Sequence, residues 1–141
     1  MHKQLIQLSA LTGILILLTG CVMEPKPFIP KVLDDNARGI TTVNSPPYGC
    51  KFLGEIEGHD GAPPKPFQQD ASTMSAARKG ALNDVRNQAV DVTGSRIVLS
   101  IAREQAICFD GSDCSHLKNQ DIFVSSYVVT AQIFECGDKD K

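Results

Sequence analysis

The residues of this 141-residue chain best able to form covalent bonds are its five cysteines: Cys21, Cys50, Cys108, Cys114 and Cys136. Cys21 stands apart from the rest. It closes Leu18-Thr19-Gly20-Cys21, an aliphatic residue and two small ones before a cysteine. That pattern matches a lipobox, where the thiol takes a diacylglycerol, the preceding segment is cut away and the new amine is acylated. Small residues before the cysteine let the extended chain enter a peptidase cleft. Cys21 is therefore the expected lipidation site, and three acyl chains would anchor firmly where a single chain anchors only marginally.

The other four cysteines allow three pairings. An exported chain meets an oxidising compartment, where disulfides are the expected state. Cys50 opens one strand-like stretch and Cys136 closes another, so antiparallel neighbours would bring them to one end of a sheet. Cys108 and Cys114 flank the base of one loop. The favoured pairs are Cys50–Cys136 and Cys108–Cys114.

Other chemistry can be drawn but is weakly supported. His59-Asp60 lies between glycines and could form a proton relay, although a solvated loop pair is the commoner use. Cys108, Cys114 and His116 with Asp110 and Asp113 resemble a zinc set, but zinc needs reduced thiolates. Asp110-Gly111-Ser112-Asp113 lacks the spacing of a calcium loop. No nucleophile elbow or phosphate-cradling glycine loop is present. The expectation is no enzyme, no metal and no cofactor.

The elements that position these residues follow from composition. Leu5–Leu18 is uncharged and apolar, follows Lys3, and is shorter than the roughly 20 residues of a membrane span. It reads as the core of a signal peptide over residues 1–20, removed before Cys21. Val22 rather than Asp after Cys21 suggests the outer membrane, facing the periplasm. Fourteen Lys and Arg stand against sixteen Asp and Glu, net −2, and loss of Lys3 makes it −3. Such a balance does not suggest nucleic-acid binding.

Residues 21–38 contain Pro25, Pro27 and Pro30 among charges and read as an extended tether that stands the domain off the lipid. Residues 39–137 read as the periplasmic domain, and residues 138–141 as a charged tail. Ile40–Val43 is β-branched and reads as an edge strand. In Cys50–Glu57, Phe52, Gly54 and Ile56 alternate with polar positions, as in a strand wet on one side. Residues 58–71 read as a loop. Residues 72–93 read as a helix capped by Ser72 and stopped at Gly94. Arg96–Ile107 begins as a strand, and Ile122–Cys136 is a long one. The expected fold is α+β: a small, mostly antiparallel sheet in β-β-α-β-β order, with one helix on one face.

In that helix Met74, Ala77, Ala81, Val85, Ala89 and Val92 form one stripe at 100° per residue. Asn83 and Asn87 fall on the far side, with Asp84 and Arg86 at its flanks. Core packing explains the stripe but not those polar residues. Asn83, Asp84, Arg86 and Asn87 are the candidate contact face for an envelope partner, the alternative being a face that only solubilises.

Three stretches carry a family resemblance: Cys50-Lys51-Phe52-Leu53-Gly54, Ala81-Leu82-Asn83-Asp84-Val85-Arg86-Asn87-Gln88-Ala89, and Phe134-Glu135-Cys136. In type and order, over residues 40–136, they resemble the YjeI-type small bacterial lipoproteins, whose domain has no known function. More distantly the layout is similar to outer-membrane sensor lipoproteins of the RcsF type. The chain departs from the first at the Cys108–Cys114 loop, and from the second in cysteine placement and tether length. The resemblance implies a lipid-anchored envelope protein with no catalytic activity. Its role would be periplasmic binding or stress sensing; a structural subunit of an envelope complex is the second reading, and a small hydrolase or metal-binding protein the third.

Overall fold

A computed structural model describes residues 27–63, 71–92 and 96–137. The signal segment, Cys21, Gly94 and the charged tail lie outside the described residues. The described chain is α+β, with one α-helix and a mixed five-stranded sheet. In order come a single 3-10 turn at Asp35–Ala37, then β1 (Thr41–Val43), β2 (Lys51–Asp60), β3 (Ser72–Thr73), α1 (Met74–Ala89), β4 (Ile97–Cys108) and β5 (Phe123–Glu135).

The sheet runs β1-β4-β5-β2, and β3 adds two residues alongside the start of β5. β2, β3 and β4 all pair antiparallel with β5. β1 departs from the antiparallel expectation and runs parallel to β4, Thr41 opposite Val98 and Val43 opposite Ser100. The reason is topological. β1 and β4 are separated by two strands and the helix, so no tight turn forces them to reverse.

β5 is the central strand, and its Tyr127, Val129, Ala131 and Ile133 line the core with Leu99 of β4. Over them lie Met74, Ala77, Ala81, Val85 and Ala89 of α1, all buried. The alanine stripe sets how close the helix comes. A Cβ on Gly58 of β2 would collide with the Ala81 carbonyl and lie 2.7 Å from the Val85 nitrogen. Burying this face drives the fold, at roughly 25 cal/mol per Å² of apolar surface removed from water.

Several boundaries differ from the sequence reading. The helix begins at Met74, and Thr73 is its cap, its hydroxyl accepting from the Ala76 N–H at 3.2 Å. Ser72 is instead a buried strand residue: its Oγ donates to the Val124 carbonyl at 2.7 Å and accepts from the Ala62 N–H at 3.0 Å. β2 runs on to Asp60, because Gly58 belongs to the helix contact rather than to a loop. A bulge at Leu53 breaks the expected alternation, so Phe52 pairs with Phe134 while Gly54 pairs with Ile133. Phe52 therefore meets Phe134 edge-on, ring centroids 5.7 Å apart, while Ile56 packs against the core.

Both cysteine pairs form as expected. Cys50 and Cys136 bridge one end of the sheet with Cα atoms 4.4 Å apart, and Cys108 and Cys114 close a six-residue separation at 5.8 Å. The second bridge folds its loop back on the outer edge of β4, where the Cys114 N–H donates to the Ala106 carbonyl at 2.9 Å. β1 covers Val98–Ser100 of the same edge, and the stretch between carries a bulge beside Arg103. A short, bulged, charged edge resists pairing with foreign strands.

Candidate functional site: the polar face of the helix

Asn83, Asp84, Arg86 and Asn87 project from the side of α1 opposite Ala81, Val85 and Ala89, as their spacing requires. They are half-buried rather than solvated, because residues 31–40 lie across them. Residues 31–40 thus form a docked strap, while residues 21–26 of the expected 21–38 tether lie outside the described residues.

The strap is held mostly through its backbone. The Asn83 Nδ2 donates to the Lys31 carbonyl at 2.8 Å. Asn87 does two things at once: its Nδ2 donates to the Val32 carbonyl and its Oδ1 accepts from the Asp34 N–H, both at 2.9 Å. Arg86 gathers three carbonyls, those of Ile40 and Arg38 at 3.1 Å and Ala37 at 3.4 Å. An amide has a donor and an acceptor side by side, and a guanidinium has a fork of donors, so both suit an extended main chain.

Asp84 joins this strap to the sheet. Its Oδ2 accepts from the His59 N–H at 2.8 Å on the free edge of β2 and pairs with the Lys31 ammonium at 2.9 Å. Gln88 caps the same edge, donating to the Glu57 carbonyl at 2.9 Å. Every polar side chain from Asn83 to Gln88 is therefore engaged by main chain of this same molecule.

The sequence reading missed Gly80 and gave Asp60 a different role. The Asp60 carboxylate accepts from the Lys31 N–H at 2.8 Å. A Cβ on Gly80 would fall onto that carboxylate and lie 2.9 Å from the Lys31 nitrogen. A glycine inside a helix costs about 1 kcal/mol relative to alanine, so Gly80 was the available signal that something passes close there.

A second cluster also escaped the sequence reading. Arg78 on α1 grips Glu104 on β4 with two hydrogen bonds of 2.6 and 2.7 Å, and the Tyr127 hydroxyl donates to Glu104 at 2.5 Å. The Arg78 guanidinium holds the Glu104 carboxyl below its ordinary range, against the opposing effect of burial. Burial, then Glu104 itself, pushes the Tyr127 phenol up. A carboxyl held ionised and a phenol held neutral are poorly matched to proton transfer near neutrality. The cluster ties helix to sheet.

The remaining candidates are dispersed. Strand alternation separates His59, which is exposed, from Asp60, which turns to the strap. Asp110 and Asp113 each bind the serine two residues on, Ser112 and Ser115, through backbone N–H at 2.9 Å and hydroxyl at 2.6 Å. Those bonds hold both carboxyls below their ordinary range. Among the described residues no three His, Cys, Asp or Glu side chains gather as a metal set. A groove of about 480 Å³ lies beside the Cys50–Cys136 bridge, lined by Thr41, Val43, Tyr48, Arg96 and Val98. No family model, no curated protein and no solved structure matches the chain, so its site is read from its own geometry alone.

Proposed function

We propose that this chain is a lipid-anchored cell-envelope protein, held at the outer membrane through Cys21 and facing the periplasm, whose folded domain works by binding in envelope maintenance or stress sensing. The observation that carries the reading is Leu18-Thr19-Gly20-Cys21 at the end of an uncharged apolar run. The cysteine count supports it. Four of the five cysteines are consumed in two bridges, which suits an oxidising compartment and leaves Cys21 as the odd one. The resemblance to YjeI-type lipoproteins agrees with this assignment.

The helix face enters the reading in a changed form. A partner using Asn83, Asp84, Arg86 and Asn87 would have to displace the strap, since these side chains already hold it. The wild-type chain should label with palmitate and fractionate with membranes, whereas Cys21→Ser should lose the label and either leave the membrane fraction or remain unprocessed. A Cys21→Ser protein that stays membrane-bound with its leader removed would overturn the reading.

A further inference from the structure

Large apolar side chains are exposed at both ends of the sheet. Tyr48, Phe52 and Leu53 lie at the end that carries the Cys50–Cys136 bridge. Phe109, Leu117 and Phe123 lie at the other. This second end is well defined. Phe123 starts β5 and pairs with Thr73, the cap of α1, while Cys108 pairs with Val124 one residue further on. The Met74 and Ser75 N–H groups donate to the Ile122 and Gln120 carbonyls at 2.8 and 3.0 Å, which places the loop after the second bridge against the helix N-terminus.

The strap decides which end can approach a bilayer. It runs beside α1 in the same direction, with Lys31 at Gly80 and Asn83 and with Val32 and Asp34 at Asn87. Traced backwards from Lys31, the chain passes Ile29, which is 77 % exposed and shares a cleft with Lys79 and Asn83 in the N-terminal half of α1. Six peptide steps separate Cys21 from Pro27, a span of at most about 20 Å. β5, thirteen residues long, measures about 40 Å end to end at strand rise. An anchor at Cys21 therefore reaches the Phe123 end more readily than the Tyr48 end.

We infer that Phe109, Leu117 and Phe123 form a contact surface for a zwitterionic lipid bilayer. The inference rests on the lipoprotein reading and deepens it: the anchored domain sits on the membrane instead of standing off it. Contact is apolar rather than electrostatic. Asp110, Asp113 and Asp121 outnumber Lys118 in this loop region, which opposes binding to anionic headgroups. Aromatic and branched side chains at the headgroup boundary gain by partial burial, and a covalent anchor removes most of the cost of bringing them there.

The sequence has no tryptophan, and Cys21 is its one cysteine outside the bridges. The chain from Cys21 onward can therefore be coupled through that thiol to a maleimide lipid in phosphatidylcholine vesicles. Phe123→Trp, Leu117→Trp and Tyr48→Trp then each report from one place. Brominated phosphatidylcholine should quench the tryptophan at 123 and at 117 several-fold more than the one at 48, with a blue shift only at the first two. Equal quenching at all three positions, or none at 117 and 123, would overturn the inference. Two probes at the same end guard against one variant that misfolds. Because the link is made chemically, a failure here is distinct from a failure of Cys21 to be acylated in cells.

Discussion

The two faces of α1 differ in how they are held. Ala81, Val85 and Ala89 pack on β2 and β5 by shape and loss of water, with no side-chain hydrogen bond involved. Asn83, Asp84, Arg86 and Asn87 hold residues 31–40 by hydrogen bonds, largely to main chain, with Lys31 adding an ion pair. The apolar face is sensitive to volume and tolerates no unpaired charge. The polar face binds backbone and is nearly indifferent to strap sequence. One helix thus joins a core that cannot open locally to a strap that can.

The largest effect should come from Val85→Asp. Val85 is fully buried against Gly58, and a carboxylate there has no partner. A buried, unpaired charge is costly enough to exceed the whole stability of a small domain. Far-UV circular dichroism should show loss of the fold; a folded, dimmed but cooperative variant would mean that the stripe is not the core.

A smaller, local effect should follow on the other face. Arg86→Met removes donors from three carbonyls, and Asn87→Ala removes one donor and one acceptor. Each lost partner that leaves a half-buried group unsatisfied costs on the order of 1–3 kcal/mol. Amide hydrogen exchange at residues 31–40 should accelerate while β5 stays protected. If strap and core exchange together, the two faces form one cooperative unit and the distinction fails.

The smallest effect concerns the Arg78–Glu104–Tyr127 cluster, which spans both regimes. Glu104 has a lowered pKa in the folded state, so its contribution is complete above the ordinary value of 4.5 and fades as pH falls below it. Melting temperature against pH should show a weaker acid limb in Glu104→Gln than in the wild type. An unchanged limb would assign the acid sensitivity to groups other than Glu104.

This contrast also explains what the sequence disclosed. Apolar periodicity repeats along the chain, so the α1 stripe, the length of β5 and the antiparallel Cys50–Cys136 ends could all be read from it. A single-residue bulge at Leu53 leaves no such trace, and it moved Phe52 to the opposite face. The parallel β1–β4 pairing involves three residues and depends on the path of the whole chain. Strap docking was hidden because the strap is recognised chiefly by its backbone, which every sequence shares. The polar helix residues did stand out as unexplained by the core. What they held could not be inferred, except through Gly80.

The Cys50–Cys136 bridge closes a ring that contains β2, β3, α1, β4 and β5 and leaves the strap and β1 outside it. A pull applied between the N-terminal side and Gly137 first parts the strap from α1 and β1 from β4, and then runs across the sulfurs, so the covalent ring is not unravelled. Among the described residues, 27–49 lie outside the ring on that side and span at most about 80 Å when fully extended. Under tension the strap and β1 act as a mechanical fuse, giving way while the ring keeps its shape and re-seating against an intact helix once the force is released.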